Sequence, residues 1–361
     1  MQTHILDLPS ATRQIPCHVG ENLWQSLCEH LKTQFPKHAV YVIADSQVAE
    51  IYAPEAEQQL AAHPGFRGLL QFPAGEQSKC RAQKDALEDA LLAQKAGRDT
   101  VLVAFGGGVT GDLVGYVAAT LHRGVPLVHL PTTLLAMVDS SIGGKTGINH
   151  PAGKNLIGAF YQPDSIFCDV RFLKTLSTVE FLSGMAEVIK YAVIMDDELW
   201  YWLESEQQQI LDGDLPTLTK IISRCAQDKI AVAAADEKES GLRGILNFGH
   251  TVGHAVEKLS NFAVPHGFAV ATGMVIAARL SVRLLNYPAD REQRLVNLLK
   301  NIGLLTVDLA DYAFDAIWDC ILSDKKSRQQ APRFSLMNAD NQPELLYPIQ
   351  KRELEDVFKH A

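Results

Sequence analysis

Apolar residues in the first half of the chain fall into short runs separated by stretches of helical spacing. His38 to Ala44 (HAVYVIA), Gly68 to Phe72, Thr100 to Phe105 (TVLVAF) and Val125 to Leu130 are apolar runs of strand length. Between them, Ala56 to Ala62, Ser78 to Ala96 and Gly111 to Thr120 read as helix or part of one. Strand and helix alternating at this spacing predict a mostly parallel sheet with helices on its faces, a Rossmann-like α/β fold. After about Leu173 the period lengthens. Val179 to Ile194, Leu218 to Ala235, Thr251 to Leu259, Ala269 to Leu285 and Arg291 to Asn301 predict helices, and strand-like runs are few until the tail. We therefore expect an α/β domain over residues 1–173 and a mainly α-helical domain over 174–361, with the active site in the cleft between them.

Composition narrows the function. The chain of 361 residues is 47% hydrophobic and 21% charged, as a two-domain globular protein should be. A net charge of −9 without a long basic run argues against nucleic-acid binding. The start, MQTHILDLPSATRQIP, lacks the basic and apolar regions of a secretory signal. Phe268 to Leu285 is apolar but interrupted by Arg279 and Arg283, so it reads as a buried core helix and no membrane role is expected. Cys17, Cys28, Cys80, Cys168, Cys225 and Cys320 show neither metal nor disulfide-framework spacing. They read as free thiols in a reducing cytoplasm.

Four segments carry candidate chemistry. Thr100 to Asp112 (TVLVAFGGGVTGD) runs a strand through Gly106, Gly107 and Gly108 into a helix start. Such a turn is either a tight loop or a pyrophosphate cradle, and its spacing is not that of the dinucleotide fingerprint. Pro73 to Lys79 (PAGEQSK) is a weaker candidate of the same kind. Asn247 to His254 (NFGHTVGH) puts His250 and His254 four apart on one helical face, a metal-pair spacing, while Thr251 replaces the Glu a zinc peptidase needs. His266 opens an apolar helix and Glu187 lies inside another (GMAEVIKYAVI). Two imidazoles and a carboxylate suit zinc with open positions; the alternative is two surface histidines and a salt-bridged Glu. Asp139 to Phe160 (DSSIGGKTGINHPAGKNLIGAF) holds Lys145 and Lys154 in a glycine-rich segment that looks too long for a simple hairpin. Ser140 stands where a P-loop requires Gly, which disfavours an ATPase, whereas lysines on such a backbone suit other anions.

Read together, these segments resemble the 3-dehydroquinate synthase family of sugar-phosphate cyclases. The likeness runs from about Phe72 to Gly273 through GGGVTGDLVGY, HLPTTLLAMVDSSIGGKTGIN, AGKNLIGAFYQP, GMAEVIKYA, DEKESGLRGILNFGHTVGHAVE and PHGFAVATGM. The resemblance implies Glu187, His250 and His266 as zinc ligands, with cobalt as a substitute, and His254 as a substrate-side histidine in place of the metal pairing by spacing. It implies Asp45, Glu76, Lys79, Gly107, Gly108, Val109, Thr110, Gly111, Asp112, Thr132, Thr133, Phe172 and Thr175 as NAD contacts. Asp139, Lys145, Lys154 and Asn155 would lie near cofactor and substrate. Lys190, Lys229, Arg243 and Asn247 would hold the substrate's carboxylate, hydroxyls or phosphate, and Lys325 or Lys326 its phosphate. Arg123 would reach in from the neighbouring subunit of a homodimer. The family reaction converts 3-deoxy-D-arabino-heptulosonate 7-phosphate to 3-dehydroquinate and phosphate by transient NAD oxidation, phosphate elimination, re-reduction and aldol closure. Two departures stand out. Phe268 replaces a usual Glu, which is expected to alter the orientation of His266, and the tail SRQQAPRFSLMNADNQPEL strays from a glycine-containing, strand-forming ending. The rival readings are a sister cyclase for another sugar phosphate, a metal-dependent polyol dehydrogenase and an inactive paralogue serving as a binding subunit.

Overall fold

Thr100–Gly106 is buried at every position, as a strand covered on both faces must be. The computed structural model describes residues 1–8, 14–237, 241–324 and 331–359. Its strands are β1 (Gln2–Leu6), β2 (Ile15–Gly20), β3 (Ala39–Asp45), β4 (Phe66–Phe72), β5 (Thr100–Gly106), β6 (Leu127–Pro131), β7 (Lys145–His150), β8 (Gly153–Phe160), β9 (Ser165–Asp169), β10 (Arg333–Met337) and β11 (Pro343–Pro348). Its longer helices are α1 (Trp24–Gln34), α2 (Ser46–Leu60), α3 (Arg81–Ala93), α4 (Gly108–Thr120), α5 (Thr178–Ile194), α6 (Asp197–Ser205), α7 (Gln207–Leu211), α8 (Leu215–Ala235), α9 (His250–Leu259), α10 (His266–Leu285), α11 (Ala289–Ile302), α12 (Phe314–Asp324) and α13 (Lys351–Phe358).

Contacts divide the chain into two compact units, Met1–Leu176 with Leu218–Ala234, and Ser177–Thr217 with Ala235–Ala361. In the first, a seven-stranded sheet has the order β1-β2-β9-β6-β5-β3-β4. The β1–β2 pair is antiparallel and the other pairs are parallel. The chain leaves β3 toward one edge and β5 toward the other, so the crevice at the ends of β3 and β5 is a topological switch point, where parallel sheets place ligands. The expected strands appear within one or two residues. The first two strands and β9 went unread, because β1 and β2 are short and carry polar residues.

The segment over 139–160 corrects the reading that it is too long for a hairpin. Beyond a wide turn at Ala136–Ser140, β7 and β8 form one, with a register irregularity between Ile148 and His150. Its strand period is masked by glycine at the places where backbones meet. A Cβ on Gly158 would lie 2.0 Å from the Thr146 carbonyl oxygen.

The second unit is mostly helical. Every residue of α5 from Ser183 to Ile194 is buried, and α10 is buried over most of its length. By length and composition α10 could cross a bilayer, but 72% of its apolar window is inside the protein. The tail, read as straying from a glycine-containing, strand-forming ending, forms the antiparallel hairpin β10–β11 without glycine. Asn341 takes the left-handed conformation (φ 58°), and Asn338 Oδ1 accepts from the amides of Asp340 and Gln342, closing the turn.

Candidate functional site

Three helices of the second unit bring Glu187, His250 and His266 together, and close backbone approach is what allows it. A Cβ on Gly267 would lie 2.3 Å from the Ser183 carbonyl oxygen of α5, and one on Gly273 would lie 1.9 Å from the carbonyl oxygen of Gly249. Gly249 itself starts α9 at φ 82°, a conformation glycine adopts without strain. His250 and His266 are thus the first residues of α9 and α10, seated beside the middle of α5. The Nε2 atoms of both imidazoles lie 3.3 Å from Glu187 Oε1. All three ligand atoms fall within 4.8 Å of one another. Tetrahedral bonds of about 2.0–2.1 Å imply ligand separations of about 3.3 Å, so donor type and spacing both fit zinc or cobalt.

The ring orientations suit this use. His250 Nδ1 faces the Phe248 carbonyl at 3.2 Å and His266 Nδ1 faces Glu257 Oε2 at 3.2 Å, which turns each Nε2 toward Glu187. Burial alone would push Glu187 up, but Lys190 and then His250 and His266 outweigh it and hold the carboxyl well below its usual range. Burial would lower His266, yet hydrogen bonds to Glu187 and Glu257 raise it to about 10. Lys190 pairs with Glu187 Oε2, though without hydrogen-bond geometry. His254 is exposed on α9, its ring centroid 5.4 Å from that of His250 and 6.3 Å from that of His266. The spacing-based His250/His254 pair is therefore not the tightest cluster; His266 and Glu187 complete it with His250. Phe268 is buried, and His266 still has a carboxylate acceptor.

In the first unit, the loops after β3, β5 and β6 converge. Asp45 caps α2, its Oδ1 accepting from the amides of Gln47 and Val48 at 3.0 and 3.1 Å, while Thr110 donates to Oδ2 at 3.2 Å across the switch point. A Cβ on Gly106 would lie 2.3 Å from Thr110 Oγ1, one on Gly107 2.9 Å from Thr133 Cγ2 and one on Gly108 3.1 Å from Ser140 Oγ. Side chains there would fill the approach to the α4 N-terminus, so the Gly107, Gly108, Val109, Thr110, Gly111 turn fits a pyrophosphate cradle. Thr132 is bonded through its amide to Gly106.

Buried Lys79 organises this region. Its Nζ donates to Asp112 Oδ2 and Asn155 Oδ1, both at 2.6 Å. Asn149 donates to Glu76 Oε1 at 2.7 Å and accepts the Asn155 amide at 2.9 Å. Burial pushes the Asp112 carboxyl up, the Lys79 ammonium opposing it. Lys229, on α8, donates to Asp139 at 2.8 Å. Lys145 is exposed and Lys154 partly so. Phe172 packs in the core against Phe105 at 5.3 Å, so its ring is turned away from solvent, and Thr175 bonds Tyr52 at 2.7 Å. Arg243 is buried and donates to the Glu237 carbonyl, whereas Asn247 and Arg123 are exposed. Lys325 and Lys326 lie outside the described residues.

Two participants went unnamed in the sequence reading. Glu257 lies seven residues after His250 and three after His254, hence on their stripe of α9, a signal the sequence did contain. Asn149 had none, because its partners come from distant segments.

Comparison with known proteins agrees with this geometry. Sequence profiles of the 3-dehydroquinate synthase N-terminal and C-terminal domains match residues 69–183 and 184–327. A 3-dehydroquinate synthase of Geobacter metallireducens is 47% identical over 301 residues, 83% of each chain. A crystal structure of 2-deoxy-scyllo-inosose synthase with carbaglucose-6-phosphate, NAD+ and Co2+ superposes with a TM-score of 0.89 at 27% identity, covering all of both chains. ValA, a 2-epi-5-epi-valiolone synthase from Streptomyces hygroscopicus with NAD+ and Zn2+, shares the fold with a TM-score of 0.87 at 23% identity, over 99% of this chain and 98% of ValA. With both domain profiles matched in order and the donor set assembled, the chain belongs to the 3-dehydroquinate synthase family.

Proposed function

We propose that the protein is a 3-dehydroquinate synthase, converting 3-deoxy-D-arabino-heptulosonate 7-phosphate to 3-dehydroquinate and phosphate with NAD and a divalent metal. The observation that carries this is the convergence of two imidazole Nε2 atoms on one buried carboxylate oxygen, each at 3.3 Å, in a chain 47% identical to a synthase of that name. When bound, NAD takes and returns a hydride, and zinc or cobalt at Glu187, His250 and His266 polarises substrate hydroxyls.

The chain's own residues supply the rest. The glycine turn and α4 N-terminus would hold the pyrophosphate of NAD, and Asp45, at the switch point, would meet its ribose hydroxyls. Lys229 is paired with Asp139, and Lys145 and Lys154 in the first unit and Lys190, Arg243 and Asn247 in the second carry the cations and amide that a substrate with phosphate and carboxylate calls for. His254, exposed beside the metal set, is placed to exchange a proton with substrate oxygen. Exposed Arg123, at φ 68°, serves a neighbouring copy in a homodimer. The free cysteines agree with a cytoplasmic setting.

The test is turnover by purified protein supplied with NAD and zinc. Phosphate and dehydroquinate should appear in equal amounts with no net NADH. A carbocycle formed only from another sugar phosphate would replace this reading with a sister cyclase, and accumulating NADH would replace it with a dehydrogenase.

A further inference from the structure

The two imidazoles differ on their far side. His250 Nδ1 meets a neutral carbonyl, whereas His266 Nδ1 meets a carboxylate whose side chain is only 7% exposed. A buried carboxylate is favoured by a charge-assisted hydrogen bond, and Glu257 in turn gives Nδ1 of His266 an anionic acceptor. That contact fixes the ring: with Nδ1 committed to Glu257, Nε2 is the nitrogen turned toward Glu187 Oε1, and it is the one a metal would take on displacing its proton. Glu257 itself is buried in α9, two helical turns after His250.

We propose that Glu257 is a positioning residue for His266. It selects the tautomer, sets the ring angle and, through its charge, makes His266 the stronger donor of the two imidazoles. This inference rests on Glu187, His250 and His266 being the metal set. The alternative assignment, Glu257 as a ligand itself, arises because His254, Glu257 and His266 also place atoms within 4.8 Å of one another. It conflicts with the geometry, since Glu257 faces Nδ1 and Glu187 faces Nε2 of the same ring.

Cobalt titrated into chelator-treated protein separates the cases, read by its visible spectrum and by competition with a chelator. Glu257→Gln keeps an oxygen acceptor but removes the charge; Glu257→Leu removes both. We expect one cobalt per chain throughout, affinity falling roughly 10-fold for Glu257→Gln and up to about 100-fold for Glu257→Leu, with altered absorption bands. The near-isosteric Gln variant, compared with wild type in thermal midpoint before cobalt is added, shows whether the loss comes from folding; a loss fully explained by unfolding overturns the proposal. Wild-type affinity and spectrum in the Leu variant also overturn it. So does a second cobalt equivalent that disappears with Glu257, which would make it a ligand. His250→Ala serves as the control: stoichiometric cobalt there sinks the metal set itself, while cobalt lost there but unchanged in both Glu257 variants sinks only the role of Glu257.

Discussion

His129 occupies the middle of β6, 5% exposed, and burial pulls its pKa from 6.5 to about 4. Between those values the unfolded chain binds a proton that the folded chain refuses. Its contribution is therefore complete above pH 6.5 and is lost as pH falls toward 4, on the order of 3 kcal/mol in all. We expect the urea midpoint of wild type to drop across this window, and His129→Met to show a shallower drop; parallel curves for the two proteins would refute the assignment. Nothing in the local sequence marks this histidine. Val125 to Leu130 reads only as a strand, and the helix α4 laid over β6, with Gly111 3.4 Å from the ring on adding a Cβ, makes its site dry. Glu187 is the opposite case. A carboxylate inside GMAEVIKYAVI demands a partner wherever the helix packs, so its importance was legible from the helix itself, while His250 and His266 were picked out as its partners by the family resemblance.

Elements meet where side chains are absent. Gly249, Gly253, Gly267 and Gly273 line the contacts of α5, α9 and α10, and at each of them an added Cβ would come within about 3 Å of neighbouring backbone. Gly273→Ala puts a methyl 1.9 Å from a backbone oxygen, so α9 and α10 must separate. Overpacking of this kind costs typically 1–3 kcal/mol. His250 is the next residue after Gly249, so the same change displaces a ligand. We predict a lower thermal midpoint and weaker cobalt binding in Gly273→Ala, the two losses appearing together; intact affinity would show that helix separation does not reach the triad. Helical periodicity found these elements but started α9 one residue late and the apolar run of α10 three residues late, although His266 was read as opening that helix. Periodicity locates the apolar face of a helix, whereas its first turn is settled by Gly249 and Pro265 in the flanking backbone. The hairpin β7–β8 was missed for a related reason: glycine carries no hydrophobic signal, yet it is what lets the two strands approach.

At the level of the molecule, each unit carries its own ligand chemistry, the first a glycine cradle and the second a metal set. Ligands that bind only the folded state stabilise it by mass action, about 2.7 kcal/mol at 100 times the dissociation constant. Zinc and NAD should therefore each raise the thermal midpoint, and His250→Ala should lose the zinc shift while keeping that of NAD. Retention of the zinc shift in that variant would remove His250 from the ligand set. The sequence alone determined the alternation of strand and helix from β3 to β6, the parallel sheet it implies, the helical second half and the residue types able to grip a metal, because these follow from local periodicity and side-chain chemistry. Tertiary structure decided which donors share a point in space, which nitrogen of each imidazole faces Glu187 and which carboxylate stands behind His266. It also decided that residues 218–234 pack with the first unit, although the segments flanking them belong to the second. Those outcomes depend on backbone contacts between segments far apart in the chain, and neither composition nor spacing encodes such distances.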